Sequence, residues 1–144
     1  MAMDVHKFFE MSQAQLDELF TKSDPGPIPN GPARGTAIIA PGTKFSPEIA
    51  TAIQLFVWEG KTFDAEHGVL RNKISALGLN AIVAEVYKGP SWLDQKECIV
   101  LDYSKTSTVA QWIRDEIRQI EPGTYLGKVY WGKKRLIDFA LQFE

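Results

Sequence analysis

A chain of 144 residues with 44% hydrophobic and 24% charged residues has the make-up of one folded domain rather than a disordered or fibrous chain. Its net charge of −2 lacks the basic excess of a general nucleic-acid or anionic-membrane binder. One cysteine, Cys98, rules out an intrachain disulfide and leaves a thiolate zinc site without support.

Residues 1–10 are too polar for a secretory signal, and no stretch approaches the roughly 18 apolar residues of a membrane helix. The expectation is a cytoplasmic protein without membrane or nucleic-acid partners.

The first element is a helix opening at Ser12. Gln15 three residues on completes a capping box, and Met11 with Leu16 makes a hydrophobic staple. Leu16, Leu19 and Phe20 give the docking stripe. The helix must stop before Asp24-Pro25-Gly26-Pro27, and the proline-rich segment to Pro32 reads as a stiff linker. Residues 1–32 are therefore expected to form a helix and linker, and residues 33–144 a single β-rich domain.

Gly35-Thr36-Ala37-Ile38-Ile39-Ala40 reads as a strand. Ser46-Pro47-Glu48 opens a second helix with an N-cap, a proline at the first position and an acid in the first turn. Its later part, through Trp58, is apolar nearly all round, which predicts enclosure by other elements. Gly60 ends it and Lys61-Thr62-Phe63 starts an extended piece. Strands are predicted over 69–74, 79–88, 97–103, 124–131 and 134–143, separated mostly by turn signals such as Gly89-Pro90-Ser91 and Gly132-Lys133. A third helix is predicted over 108–120, stopped by Pro122-Gly123. Cys98 falls in an apolar run and reads as a small buried hydrophobe.

The fold class that follows is α+β. An antiparallel meander of roughly six or seven strands closes as a small barrel or curves strongly around a helix. An N-terminal helix and two inserted helices accompany it.

On the wheel of the predicted third helix, Val109, Trp112, Ile113, Ile117 and Ile120 form the apolar stripe, with Glu116 in its middle. Arg114, Asp115 and Arg118 fall opposite. A carboxylate facing a core must be paired, neutralised or near water. Two readings of Glu116 stand: a structural ion pair with an arginine such as Arg34 or Arg71, or a general acid/base or ligand-binding group. Strand alternation adds a second constellation. Glu85 and Tyr87, Asp102, Lys128 and Tyr130, and Asp138 lie on faces that mix polar groups with small apolar ones. They line a cavity if those faces converge and a solvated sheet if they point outward. Trp92 is placed at a pocket mouth. Asp102 joins Glu116 as candidate base, with Tyr125, Tyr130, Lys128 and Arg71 as candidate oxyanion or ligand contacts.

His6 and His67 are isolated, so no metal site is expected, and no motif calls for a cofactor. Tyr103-Ser104-Lys105 lacks the spacing of a nucleophile–base pair and reads as a turn. Gly31-Pro32-Ala33-Arg34-Gly35 lacks the context of a phosphate loop.

Gly35-Thr36-Ala37-Ile38-Ile39, a helix, then Trp58-Glu59-Gly60-Lys61-Thr62-Phe63 resembles the opening half of bacterial GXWXG-type domains of unknown function. The positions of the name's tryptophan and second glycine carry Ala37 and Ile39. The later strands, including Gly123-Thr124-Tyr125-Leu126-Gly127-Lys128, are similar in layout to lipocalin-like small barrels. That resemblance implies a cavity for a small, largely hydrophobic molecule and, in a few cases, lyase or isomerase chemistry. Three functions are thus open: small-molecule binding, metal-independent acid–base catalysis, and an interaction domain that forms a homodimer by exchanging its N-terminal helix.

Overall fold

Apolar and β-branched residues recur at every second position through most of the chain, and short turns separate the runs, so successive strands pair as antiparallel neighbours. The structure, a computed structural model, describes residues 5–40, 46–52, 61–74, 79–106 and 111–143. Eight strands make one closed antiparallel barrel in chain order: β1 (Gly31–Ile38), β2 (Lys61–Asp64), β3 (Val69–Ile74), β4 (Leu79–Pro90), β5 (Glu97–Asp102), β6 (Ile113–Glu121), β7 (Thr124–Trp131) and β8 (Lys134–Phe143). β8 returns to β1, with Ala33 opposite Phe143 and Ile38 opposite Asp138, so no edge is left open.

The N-terminal helix forms as expected. Helix α1 (Gln13–Lys22) starts at the Ser12–Gln15 capping box. Helix α2 spans Pro47–Ala52, and the rest of the predicted second helix lies outside the described residues. A short 3-10 helix (Val5–Glu10) precedes α1. β1 opens at Gly31, inside the segment read as linker, and pairs Gly31 and Pro32 with Phe63 and Thr62.

The third predicted helix is overturned where it is described. Residues 113–121 form strand β6, hydrogen-bonded to β5 on one side and β7 on the other. The reason is that Ile113 and Ile117 satisfy the helical i, i+4 spacing and the strand's even spacing equally well. Three isoleucines and a place between two strands decide for the strand.

Alternation sorts the side chains into two apolar layers. Phe63, Leu70, Val86, Ile99, Leu101, Ile113, Ile117, Val129, Phe139 and Leu141 belong to the inner cluster, which Ile49 of α2 joins. Ile38, Cys98, Val100, Leu126 and Ala140 face outward and meet Phe8, Leu16 and Phe20, so the N-terminal helices cover one flank of the barrel. Cys98 is the small buried hydrophobe expected of it; burial pushes its thiol up to about 12.

Inside, Gly127 of β7 stands opposite Phe139 of β8. A Cβ at Gly127 would lie 2.3 to 2.8 Å from three atoms of the Phe139 ring. The far end of the ring therefore sits against the glycine, in space a Cβ would fill. Gly127→Ala is expected to destabilise the protein by about 1–3 kcal/mol through overpacking. A urea midpoint equal to the parent's at unchanged slope would contradict this.

Candidate functional site

The residues that alternation singled out do not converge in the barrel. Glu85, Tyr87, Asp102, Glu116, Lys128, Tyr130 and Asp138 all occupy outward positions of their strands, opposite in parity to the inner rows. Several are nevertheless buried, because loops and α1 lie over them.

Glu116 is fully buried beneath the connection between β4 and β5. Its Oε1 accepts from the Ser91 hydroxyl at 2.6 Å, and its Oε2 from the Trp92 backbone N–H at 2.8 Å. Arg114 Nε and Nη2 donate to the same Oε2 at 3.2 and 3.1 Å. Arg114 also stacks on Trp92, 4.3 Å from its ring centroid, and Trp92 meets Tyr130 edge-on. Glu116 is thus ion-paired. Its partner is Arg114, two residues away across the same strand face, rather than Arg34 or Arg71.

Asp102 is likewise engaged. Tyr87 Oη donates to Oδ2 at 2.7 Å, and the Ser104 backbone N–H and hydroxyl donate to Oδ1. Burial pushes the Asp102 carboxyl up, but these donors outweigh it and hold it below the usual range. Burial, helped by Asp102, raises the Tyr87 phenol to about 12. A groove of about 300 Å³ beside this pair is lined by Trp92, Asp102, Trp112 and Arg114 among others.

Lys128 and Asp138 form a third outer cluster, under α1. Lys128 Nζ lies 2.6 Å from Asp138 and 2.7 Å from Asp17 of α1, which Arg135 also grips with two hydrogen bonds. Both β-strand residues are fully buried. Arg71 is exposed, on a separate groove of about 540 Å³ with Thr62 and Asp64. Tyr125 does point inward, but its hydroxyl is taken up in a donation to the Pro27 carbonyl at 2.8 Å.

The barrel interior instead holds a group that sequence reasoning passed over. Lys61 on β2, Tyr103 just after β5 and Asp115 on β6 all continue inner rows: Lys61 with Phe63, Tyr103 with Ile99 and Leu101, Asp115 with Ile113 and Ile117. Lys61 Nζ donates to Tyr103 Oη at 3.2 Å and stands 3.7 Å from Asp115 Oδ2. That second separation is an ion-pair contact, too long for a hydrogen bond. Asp115 has no exposed surface, and neither of its carboxylate oxygens has a hydrogen-bond partner among the described residues. Around them the lining is aromatic and aliphatic; the Phe139 ring centroid is 5.8 Å from Lys61 Nζ.

Electrostatics follow from that setting. Burial raises the Asp115 carboxyl to about 6, with Lys61 opposing and Glu116 adding to the shift. Burial lowers the Lys61 amine to about 8, with Asp115 opposing. A carboxyl and an amine with values on either side of neutrality, beside a phenol, can accept, hold or return a proton. Among the described residues no group of three His, Cys, Asp or Glu could hold a metal ion. No described helix is long and apolar enough to cross a membrane.

One signal pointed here. Lys61, Tyr103 and Asp115 each sit two positions from a large apolar residue that the barrel buries. For Asp115 that signal is visible only once 113–121 is read with the period of a strand.

No family model matches the chain, and no curated protein matches it. A crystal structure of a protein from Thermomonospora curvata is similar, with a TM-score of 0.64 over 93% of this chain and 88% of that one. The two sequences are 16% identical, so the likeness is one of fold.

Proposed function

We propose that the barrel holds a small, largely apolar molecule whose one polar end rests against Asp115, Lys61 and Tyr103. The observation that carries this is Asp115: a wholly buried carboxylate, in an apolar barrel, with neither oxygen hydrogen-bonded among the described residues. Leaving such a group unsatisfied costs about 1–3 kcal/mol or more, and native folds rarely tolerate it without a use. A bound polar head supplies the missing partner. A barrel of eight strands is wide enough to be filled by its own side chains or to hold one small ligand. The resemblance of residues 35–63 and of the strand layout to GXWXG-type and lipocalin-like domains favours the same class.

Native mass spectrometry of the full chain purified from its own host tests the reading. The expected result is a co-purified apolar molecule, released on denaturation and absent from the Lys61→Met/Asp115→Leu double variant. An empty protein that also takes up no neutral fluorescent probe such as N-phenyl-1-naphthylamine would sink it.

A second reading is favoured by one feature, the pairing of a carboxyl near 6 with an amine near 8. In it the barrel is a metal-independent acid–base enzyme of lyase or isomerase type. Asp115 then takes the role of base for which Glu116 and Asp102 were candidates, because every carboxylate oxygen of those two already accepts a hydrogen bond. Tyr103 and Lys61 are the donors to a developing oxyanion.

A further inference from the structure

We infer that the polar end of the molecule is an uncharged hydroxyl that donates to Asp115, and that the barrel discriminates against carboxylic acids; this rests on the reading of the barrel as a ligand holder. The argument is one of charge and of donors. Lys61 and Asp115 are the buried charged groups of the inner rows among the described residues, and at 3.7 Å they nearly cancel. Among the described residues, the head group therefore meets an apolar wall of low net charge on which neither Asp115 oxygen accepts a hydrogen bond.

Four kinds of head can be weighed against that wall. A carboxylate brings a second negative charge beside Asp115 in a medium where like charges repel strongly. It has no proton to give the two open oxygens. An ammonium can donate, but it leaves a net positive charge buried beside Lys61. An ether or carbonyl adds no charge but donates nothing, so Asp115 stays unsatisfied. A hydroxyl alone adds no charge, gives one hydrogen bond to Asp115 and keeps lone pairs for Lys61 or Tyr103. Its hydrogen bond is charge-assisted and made where water is excluded, which is where such a bond discriminates most. The class of molecule is an alcohol with an aliphatic or alicyclic body.

The test uses the full chain at pH 7 and three probes of equal length: octan-1-ol, octanoate and heptyl methyl ether. Affinities are read by calorimetry and by displacement of N-phenyl-1-naphthylamine. Octan-1-ol is expected to bind at least tenfold more tightly than either of the others. In Asp115→Asn, which keeps the side chain's volume, that margin should fall below threefold and octanoate should gain. Circular dichroism establishes that the variant is folded; if it is not, the ranking of the three probes on the parent chain still decides. Octanoate or the ether binding as well as the alcohol overturns the assignment of the head group while the barrel reading survives. No binding of any probe, with no uptake of the dye, overturns both.

Discussion

Lys61→Met is expected to cost about 3–5 kcal/mol of stability, and adding Asp115→Leu to the same chain is expected to return most or all of it. Removing Lys61 alone strands Asp115, which is wholly buried and has no hydrogen-bond donor among the described residues to fall back on. Breaking a buried pair in this way typically costs that much, because the remaining charge has no compensation. Replacing both partners by apolar side chains of similar volume removes the uncompensated charge along with the pair, and such exchanges are often neutral or stabilising. Phe63, Phe139, Ile113 and Ile117 already offer the new side chains an apolar setting. Denaturant unfolding of the parent, the two single variants and the double variant forms a complete cycle. Losses that simply add would show that Lys61 and Asp115 do not depend on one another. The double variant is also expected to lose the ligand, which separates the site's function from its contribution to folding.

The pH dependence of that cycle has a definite sign. The Asp115 carboxyl is raised from 3.8 to about 6, so the folded chain binds its proton more tightly than the unfolded one. The stability this gives is full below 3.8 and is lost as the pH rises through about 6. The Lys61 amine is lowered from 10.5 to about 8, so the unfolded chain holds that proton more tightly. The resulting penalty is full below about 8 and is relieved as the pH rises towards 10.5. Between about 6 and 8 both groups are charged and both penalties stand. The double variant should therefore compare best with the parent in that window, and its relative stability should fall on either side. The depressed carboxyls of Asp17, Asp94 and Asp102 titrate in both proteins and cancel in the difference. A difference independent of pH would mean that Lys61 and Asp115 are not buried as a charged pair.

How far the sequence spoke depended on whether its signals were local. Helix α1 was legible because the Ser12–Gln15 box and the Leu16–Phe20 stripe lie within one short segment. The antiparallel order was legible because turns such as Gly132-Lys133 punctuate alternating runs. Segment 113–121 was not. Both of its faces are covered, the inner by the barrel core and the outer by α1 and the loop after β4, so the alternation of apolar and polar that marks a half-buried strand is missing. That single ambiguity moved the candidate carboxylate. On a helical wheel Glu116 faces the core and Asp115 faces water; on a strand they point to opposite faces, and closure of the barrel puts Asp115 inside. Glu116 stood out as a charge on the apolar face of a helix; it is buried, but on a strand, and its donors Ser91 and Trp92 come from a loop whose fold no local pattern announces. Lys61 and Tyr103 looked like a strand start and a turn. Their meeting depends on barrel closure, which is a property of the whole chain.

The same β6 carries the residue whose loss should matter most on the outside. Arg118 is fully buried, and each of its nitrogens donates at least one hydrogen bond. Nη1 and Nη2 grip Asp94 Oδ2 and Oδ1, each at 2.7 Å, in a bidentate fork. Nη1 also donates to the Phe20 carbonyl in the last turn of α1, Nη2 to Lys96 O and Nε to Glu97 O. The guanidinium plane lies 4.5 Å from the Phe20 ring centroid. One side chain thus joins α1, the loop after β4 and strand β6. Arg118→Met is expected to cost about 2–4 kcal/mol, since Asp94 loses its bidentate partner and the Phe20, Lys96 and Glu97 carbonyls each lose a donor, although Phe20 and Lys96 keep the Ser23 and Ser91 N–H groups and Asp94 keeps the Lys96 N–H. Arg118→Lys should recover little of this, because a point charge on a flexible stem cannot make the planar fork. The damage should be local. Amide exchange is expected to rise across Gln13–Lys22 and the loop at 91–96, while β7 and β8 keep their protection. Because Arg118 points outward and Asp115 inward from the same strand, the variant should still take up N-phenyl-1-naphthylamine in the barrel. Loss of dye uptake with α1 still protected would mean that the two faces of β6 are coupled, and that the outer cluster sets the geometry of Asp115.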